Sequence, residues 1–232
     1  MILIFGDSWG CGEWNPSAIN SSLISHPGLV QYIRDSGRPA INLSQPGASP
    51  NQILSIIETF FQSGCTEYLP EPVTQMLVFQ TEYVRDYYAY KDENTHYTKL
   101  IEKWYSILSS FSMKYSVKIG VIGGCSDVLW TDNFEQKFPG VYIACQSFCN
   151  LLVNGQDQID SPVFFIRPND NIISNNFICA SIKEMVQILD QTSKRWTLLK
   201  ENPQWFFPDG SHPNRYGHKE LFEFLNYKGY LA

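Results

Sequence analysis

Short apolar runs alternate with helical patterns along the chain. The first run, Ile2-Leu3-Ile4-Phe5, is continuous rather than alternating and stops at the turn Gly6-Asp7-Ser8. A continuous apolar run of this length marks a strand covered on both faces. His26-Pro27-Gly28 opens a predicted helix with Leu29, Val30 and Ile33 on one face and Gly37 just past its end. Pro39 to Leu43 is the second predicted strand. The next helix is the best marked in the chain. Ser49 suits the N-cap, Pro50 the first helical position, and Gln52 completes a capping box. Ile53, Ile56, Ile57, Phe60 and Phe61 then recur at helical spacing as one apolar stripe, and Gly64 suits a left-handed stop.

Met76 to Phe79 reads as a third strand, and Tyr83 to Tyr115 as helical, with Leu100, Ile101, Trp104, Ile107 and Leu108 in step. Val117 to Ile122 is the fourth strand, ending at Gly123-Gly124, and Val141 to Ala144 is a short fifth. Val163 to Ile166 is strand-like without an assigned place in the sheet. Ile182 to Leu189 and about Gly217 to Asn226 complete the set as helices. Strands alternating with helices imply βαβ units and a parallel sheet. The expected fold is α/β: one domain over residues 1–232, a three-layer α/β/α sandwich around a central, mostly parallel sheet. Ligands of such sheets sit at the carboxyl ends of the strands.

Composition narrows the function. In 232 residues, Lys plus Arg is 17 and Asp plus Glu is 23, giving a net charge of −6. There is no global basic field for a phosphate backbone, so nucleic acid is not expected as the main ligand. No run reaches the roughly 18 apolar residues of a membrane span, and the apolar start lacks the cationic region of a signal peptide. The six cysteines, Cys11, Cys65, Cys125, Cys145, Cys149 and Cys179, show no CxxC or zinc-finger spacing. They are expected to be reduced and mostly buried in a cytoplasmic chain, with no metal and no cofactor. Lys194-Arg195 reads as an ordinary solvated face.

Candidate chemistry lies at the two ends of the chain. Ser8 sits on the turn from the first strand into a helix, where a hydroxyl is exposed near backbone N–H groups. A serine attacks a carbonyl only if a base takes its proton and a carboxylate orients that base. Asp209-x-x-His212 places a carboxylate and an imidazole within one turn, just before the last helix. Each string alone also reads as a plain turn.

Three spaced strings together resemble the SGNH/GDSL hydrolase superfamily. They are Gly6-Asp7-Ser8, Asn42-Leu43-Ser44-Gln45-Pro46-Gly47, and Asp209-Gly210-Ser211-His212-Pro213-Asn214-Arg215-Tyr216-Gly217-His218. The resemblance spans essentially the whole chain. It implies a flavodoxin-like sandwich and a serine hydrolase of esters or related acyl groups. In it Ser8 is nucleophile, His212 base and then acid, and Asp209 its orienter. The backbone N–H groups of Ser8 and Gly47 form part of the oxyanion hole, and His218 is a structural histidine at the helix start. The implied substrate is a small-molecule or carbohydrate ester, with an acetylated carbohydrate preferred. Acyl transfer to a sugar or alcohol would use the same residues.

One block departs from the family pattern. Where the family usually has Gly-x-Asn-Asp, this chain has Phe79-Gln80-Thr81-Glu82-Tyr83-Val84-Arg85. Glu82 takes the place of the Asn that donates to the oxyanion, and an ionised carboxylate there would repel it. Gln80 or Thr81 is a candidate replacement donor, and Arg85 a partner for Glu82. Loss of one such donor raises a barrier by about 2.7–4 kcal/mol. The alternative reading is therefore a weakly active or non-catalytic protein of this fold that binds a carbohydrate or a protein partner. Trp9, Trp14, Tyr83, Trp205 and Cys11 are candidate pocket walls.

Overall fold

The computed structural model describes residues 1–14, 24–82, 97–163, 182–206 and 212–231. In chain order the elements are β1 (Ile2–Phe5), α1 (Ser8–Cys11), β2 (Glu13–Trp14), β3 (Ile24–His26), α2 (Leu29–Asp35), β4 (Ala40–Asn42) and α3 (Pro50–Gln62). They continue with β5 (Gln75–Gln80), α4 (Tyr97–Tyr115), β6 (Lys118–Gly123), α5 (Phe134–Lys137) and β7 (Val141–Cys145). The last are α6 (Phe148–Asn154), α7 (Ile182–Glu201) and α8 (Arg215–Tyr227).

Five strands form one sheet in the order β4-β1-β5-β6-β7, and every pairing in it is parallel. β1 lies between β4 and β5, so the turn that follows it opens at the carboxyl end of an internal strand. Alternate residues of each internal strand feed two cores. Ile2 and Ile4 of β1, with Leu77 and Phe79 of β5, pack beneath α2, α6 and α8. Leu3 and Phe5, with Met76 and Val78, pack beneath α3 and α4. The layers are thus helix, sheet and helix. This double covering explains why β1 is apolar at every position.

Local chemistry sets the ends of the elements as expected in most places. Ser49 Oγ accepts from the Gln52 N–H while Gln52 Oε1 accepts from the Ser49 N–H at 2.8 Å, which closes the capping box of α3. Helix α8 begins two residues before the expected Gly217, because Asn214 is its cap and receives the N–H groups of Tyr216 and Gly217 at 2.9 and 3.0 Å. The long helix expected from Tyr83 is described from Tyr97 onward; residues 83–96 lie outside the described set.

Several features were not foreseen. Helix α6 is bracketed by the Ser147 cap and by Gly155 in the left-handed region, local signals that lie in the sequence itself. The β2–β3 pair is too short to show a strand pattern. Of the strand-like run from Val163, only Val163 is described. It joins Asp127 instead of the sheet, donating its N–H to Oδ2 at 2.8 Å and accepting the Asp127 N–H at 3.0 Å.

The reading of Arg195 as a solvated face is wrong. Arg195 is 6% exposed and grips Asp127, itself fully buried, with two parallel bonds of 2.9 and 2.7 Å. It also donates to the Cys125 carbonyl at 3.3 Å. Thr192, Arg195 and Leu199 are all buried, one stripe of α7 that includes a cation because its carboxylate partner is waiting behind β6. The pair pins the loop after β6 to α7 and to Val163. Of the cysteines, Cys11, Cys125, Cys145 and Cys149 are buried and free, Cys65 is free but exposed, and Cys179 lies outside the described residues.

Breaking a buried ion pair on one side leaves an uncompensated charge, which costs about 3–5 kcal/mol. Asp127→Ala is accordingly expected to lower the unfolding free energy by about that amount in urea titrations. The double variant Asp127→Ala/Arg195→Met recovers part of the loss.

Candidate active site

The site begins with a turn that only small residues allow. A Cβ on Gly6 would lie 2.7 Å from the Phe79 Cβ, and one on Gly10 would lie 2.5 Å from Ser44 Oγ. The chain between them therefore lies tightly on β5 and the loop after β4. Asp7 caps the short helix α1, its Oδ1 accepting the Trp9 N–H at 3.0 Å. Its Oδ2 accepts the Thr81 hydroxyl at 2.7 Å, tying the ends of β1 and β5 together. Asp7 is completely buried, and Ser8 is 5% exposed.

The loop after β4 is fastened to the same turn. Asn42 Nδ2 donates to the Gly10 carbonyl at 2.8 Å, while its Oδ1 accepts the Ser44 N–H at 3.0 Å. The Gln45 N–H donates to the Gly6 carbonyl at 2.9 Å. Gly47 follows in an exposed stretch with φ +75°, a left-handed conformation that favours glycine. Among the described residues, a Cβ there meets nothing within 4 Å.

His212 arrives from the far end of the chain. Its Nε2 lies 2.9 Å from Ser8 Oγ, across 204 residues of sequence. This is hydrogen-bond distance between a hydroxyl and an imidazole nitrogen. Asp209 lies outside the described residues, as do Tyr83 and Arg85.

The replacement-donor expectation needs correcting for Gln80. Its side chain is fully buried. Its amide donates to the Asp127 carbonyl at 2.5 Å and accepts the Tyr105 hydroxyl at 2.6 Å. Gln80 therefore braces β5 against α4 and the loop after β6. The Thr81 hydroxyl is directed to Asp7. Glu82 is 2% exposed. Its charge, with that of Asp7, adds to burial in pushing the Cys125 thiol up.

The pocket-wall expectations also change. Trp9 is core, 2% exposed, with its ring against Phe148 and Phe206. Cys11 donates its thiol to the Asp7 carbonyl at 3.3 Å, and burial, then the Asp7 charge, pushes it up to about 12. Trp205 is half-buried against the core beneath α8. His218 is fully buried, and burial holds it down at about 3, so it is neutral and structural. A separate 490 Å³ cleft is lined by residues such as Trp130, Gln146 and Tyr230, with neither Ser8 nor His212 in its wall.

Glu13 and Arg215 join the segment after α1 to the first turn of α8, a pairing with no signature in the sequence. Glu13 Oε2 accepts both the Arg215 backbone N–H at 2.6 Å and its Nε at 2.9 Å, and Oε1 accepts Nη2 at 2.8 Å. Ser25 Oγ also donates to Glu13 Oε1 at 3.1 Å. Neighbours in sequence carry no hint of a contact that spans 202 positions.

No family model and no curated protein matches this chain. Several solved structures resemble it. One is a member of the lipolytic protein G-D-S-L family from Veillonella parvula, at 11% identity and TM-score 0.43, covering 97% of this chain and 96% of that one. Another is the psychrotrophic esterase EstA from Pseudoalteromonas, at 15% identity and TM-score 0.47, covering 99% and 97%. A third is Axe2, an acetylxylan esterase from Geobacillus stearothermophilus, at 13% identity and TM-score 0.39, covering 98% and 92%.

The Arg215 guanidinium bonded to Glu13 holds that carboxyl below the usual carboxylate range, against the opposing effect of burial. His26 and Tyr32 face the same pair. A lowered folded value means the stabilisation is fully present above the unfolded value of roughly 4.3 and is lost as pH falls through the folded one. Urea midpoints measured from pH 7 downward should therefore converge for wild type and Glu13→Gln only at strongly acidic pH.

Proposed function

We propose that this protein is a serine hydrolase of the SGNH type, an esterase or deacylase acting on a small acyl ester such as an acetylated carbohydrate. The observation that carries the reading is the 2.9 Å contact between Ser8 Oγ and His212 Nε2 at the carboxyl end of β1. A hydroxyl with an imidazole at this distance can lose its proton as it attacks.

In the proposed reaction Ser8 Oγ attacks the ester carbonyl while His212 Nε2 takes the proton. The negative charge on the carbonyl oxygen is received by the backbone N–H groups of Ser8 and Gly47. His212 then protonates the departing alcohol, leaving an acyl-Ser8. Water, deprotonated by His212, attacks the acyl carbon and frees Ser8. Asp209 is assigned to orient the imidazole. Ser44 and Gln45 make the nearby loop polar, which suits a hydroxyl-rich alcohol better than an acyl chain.

One observation favours a slower enzyme or a binding protein on the same scaffold. Gln80 and Thr81 direct their polar atoms into the fold, and Glu82 ordinarily brings an acceptor where the family has a donor. Loss of one side-chain donor leaves an oxyanion less stabilised.

Hydrolysis of a short-chain aryl acetate tests the assignment. Ser8→Ala and His212→Ala are each expected to lower kcat by about 10⁴–10⁶-fold, with the double variant little worse than either. Turnover unchanged by both substitutions contradicts it. Absence of turnover in wild type, together with glycan or partner binding at the surface around Ser8, favours the binding protein.

A further inference from the structure

We infer that Glu13 and Arg215 form a clamp that sets the position of His212 against Ser8. The inference rests on the reading of Ser8 and His212 as the working pair. Glu13 lies a few residues beyond Ser8, just past the end of α1, and Arg215 lies three residues after His212 at the first turn of α8. The clamp therefore joins the two chain segments that carry the nucleophile and the base.

Its geometry fixes position as well as proximity. The guanidinium meets the carboxylate with two side-chain bonds, which sets their relative plane. The Arg215 N–H donates to the same carboxylate at 2.6 Å, so Glu13 also holds the helix backbone itself. On the other side, the Arg215 carbonyl accepts the Tyr32 hydroxyl at 3.0 Å. Asn214, between Arg215 and Pro213, donates its N–H to the Trp205 carbonyl at 2.9 Å. Little freedom is left in the backbone that leads from Arg215 back to His212.

A tight backbone seam lies beside the clamp. A Cβ on Gly12 would sit 2.3 Å from the His26 carbonyl oxygen, and one on Gly28 would sit 2.7 Å from Gly12 Cα and 2.9 Å from His218 Cδ2. The segment after Ser8 and the helix after His212 thus touch through backbone and one neutral imidazole. Glu13 and Arg215 add a charged, two-bond link beside this contact. The Arg215 side chain is 43% exposed and that of Glu13 only 11%. A clamp with one half-exposed arm can be altered without emptying the core.

The test reads His212 directly in the full chain. The sequence has four histidines, and nitrogen NMR of the imidazoles distinguishes them, with His212 assigned by its loss in His212→Gln. In wild type the His212 Nε2 resonance is expected to move when Ser8 becomes Ala. Glu13→Gln and Arg215→Gln are each expected to move it toward that same Ser8→Ala position. Both should lower kcat about 10–100-fold while KM stays within about threefold, since a displacement of about 1 Å suffices for such a loss. The double variant should be no slower than the worse single one, and Arg215→Lys should recover part of the rate. Should Glu13→Gln fail to fold, Arg215→Gln carries the test, because Glu13 then keeps the Arg215 backbone N–H and Ser25 as partners. A folded variant whose His212 resonances superpose on wild type overturns the clamp, as does an unchanged kcat in an active enzyme. If the resonances shift as expected but wild type turns over no ester, the clamp stands and the hydrolase reading fails.

Discussion

A hydroxyl and an imidazole that are 204 residues apart stand at 2.9 Å, and the rest of the site has meaning only while they do. Such a contact is weak by itself, of the order of 1 kcal/mol net, and cannot draw the chain ends together. The fold brings them together instead. β1 is an internal strand covered on both faces, so the turn after it has a fixed place. α8 packs on the same core as α2, which lays His212, two residues before its Asn214 cap, beside that turn. Placement comes from apolar burial, and alignment from the few polar bonds that cross between the two segments.

Those polar bonds share a pattern. Asp7 receives a helix N–H and a threonine hydroxyl, Asp127 receives an arginine and a strand-like N–H, and Glu13 receives a backbone N–H and a guanidinium. Each carboxylate joins elements distant in sequence, at or just beyond the carboxyl ends of the strands or on the β2–β3 pair. Buried acceptors of this kind must be satisfied, and satisfying them restricts how the surrounding loops can sit. The turn that carries Ser8 and the loop after β6 are held this way, whereas the strands below them rest mainly on apolar contact.

The strands and most helices were legible because their signals are local. The run Ile2–Phe5 and the Ser49–Gln52 capping box name their elements by themselves. The Ser8 and His212 pair was legible through spaced strings whose turn chemistry is likewise local. What the sequence did not disclose is long-range pairing of charge. Arg195 looks solvated beside Lys194, and only the position of Asp127 makes it a core residue. Gln80 looks like a donor for the site because it stands in the block that aligns with the oxyanion motif, yet strand alternation and Tyr105 turn it inward. Glu13 and Arg215 carry no pattern at all until two chain segments are folded together.

The central claim is that His212 activates Ser8. Covalent labelling by a fluorophosphonate, followed by peptide mapping, reads that activation without any assumption about the natural ester. The account predicts a single adduct on Ser8 in wild type, formed far more slowly in His212→Ala. Wild type that takes no label at Ser8, or takes it equally fast without the imidazole, contradicts it.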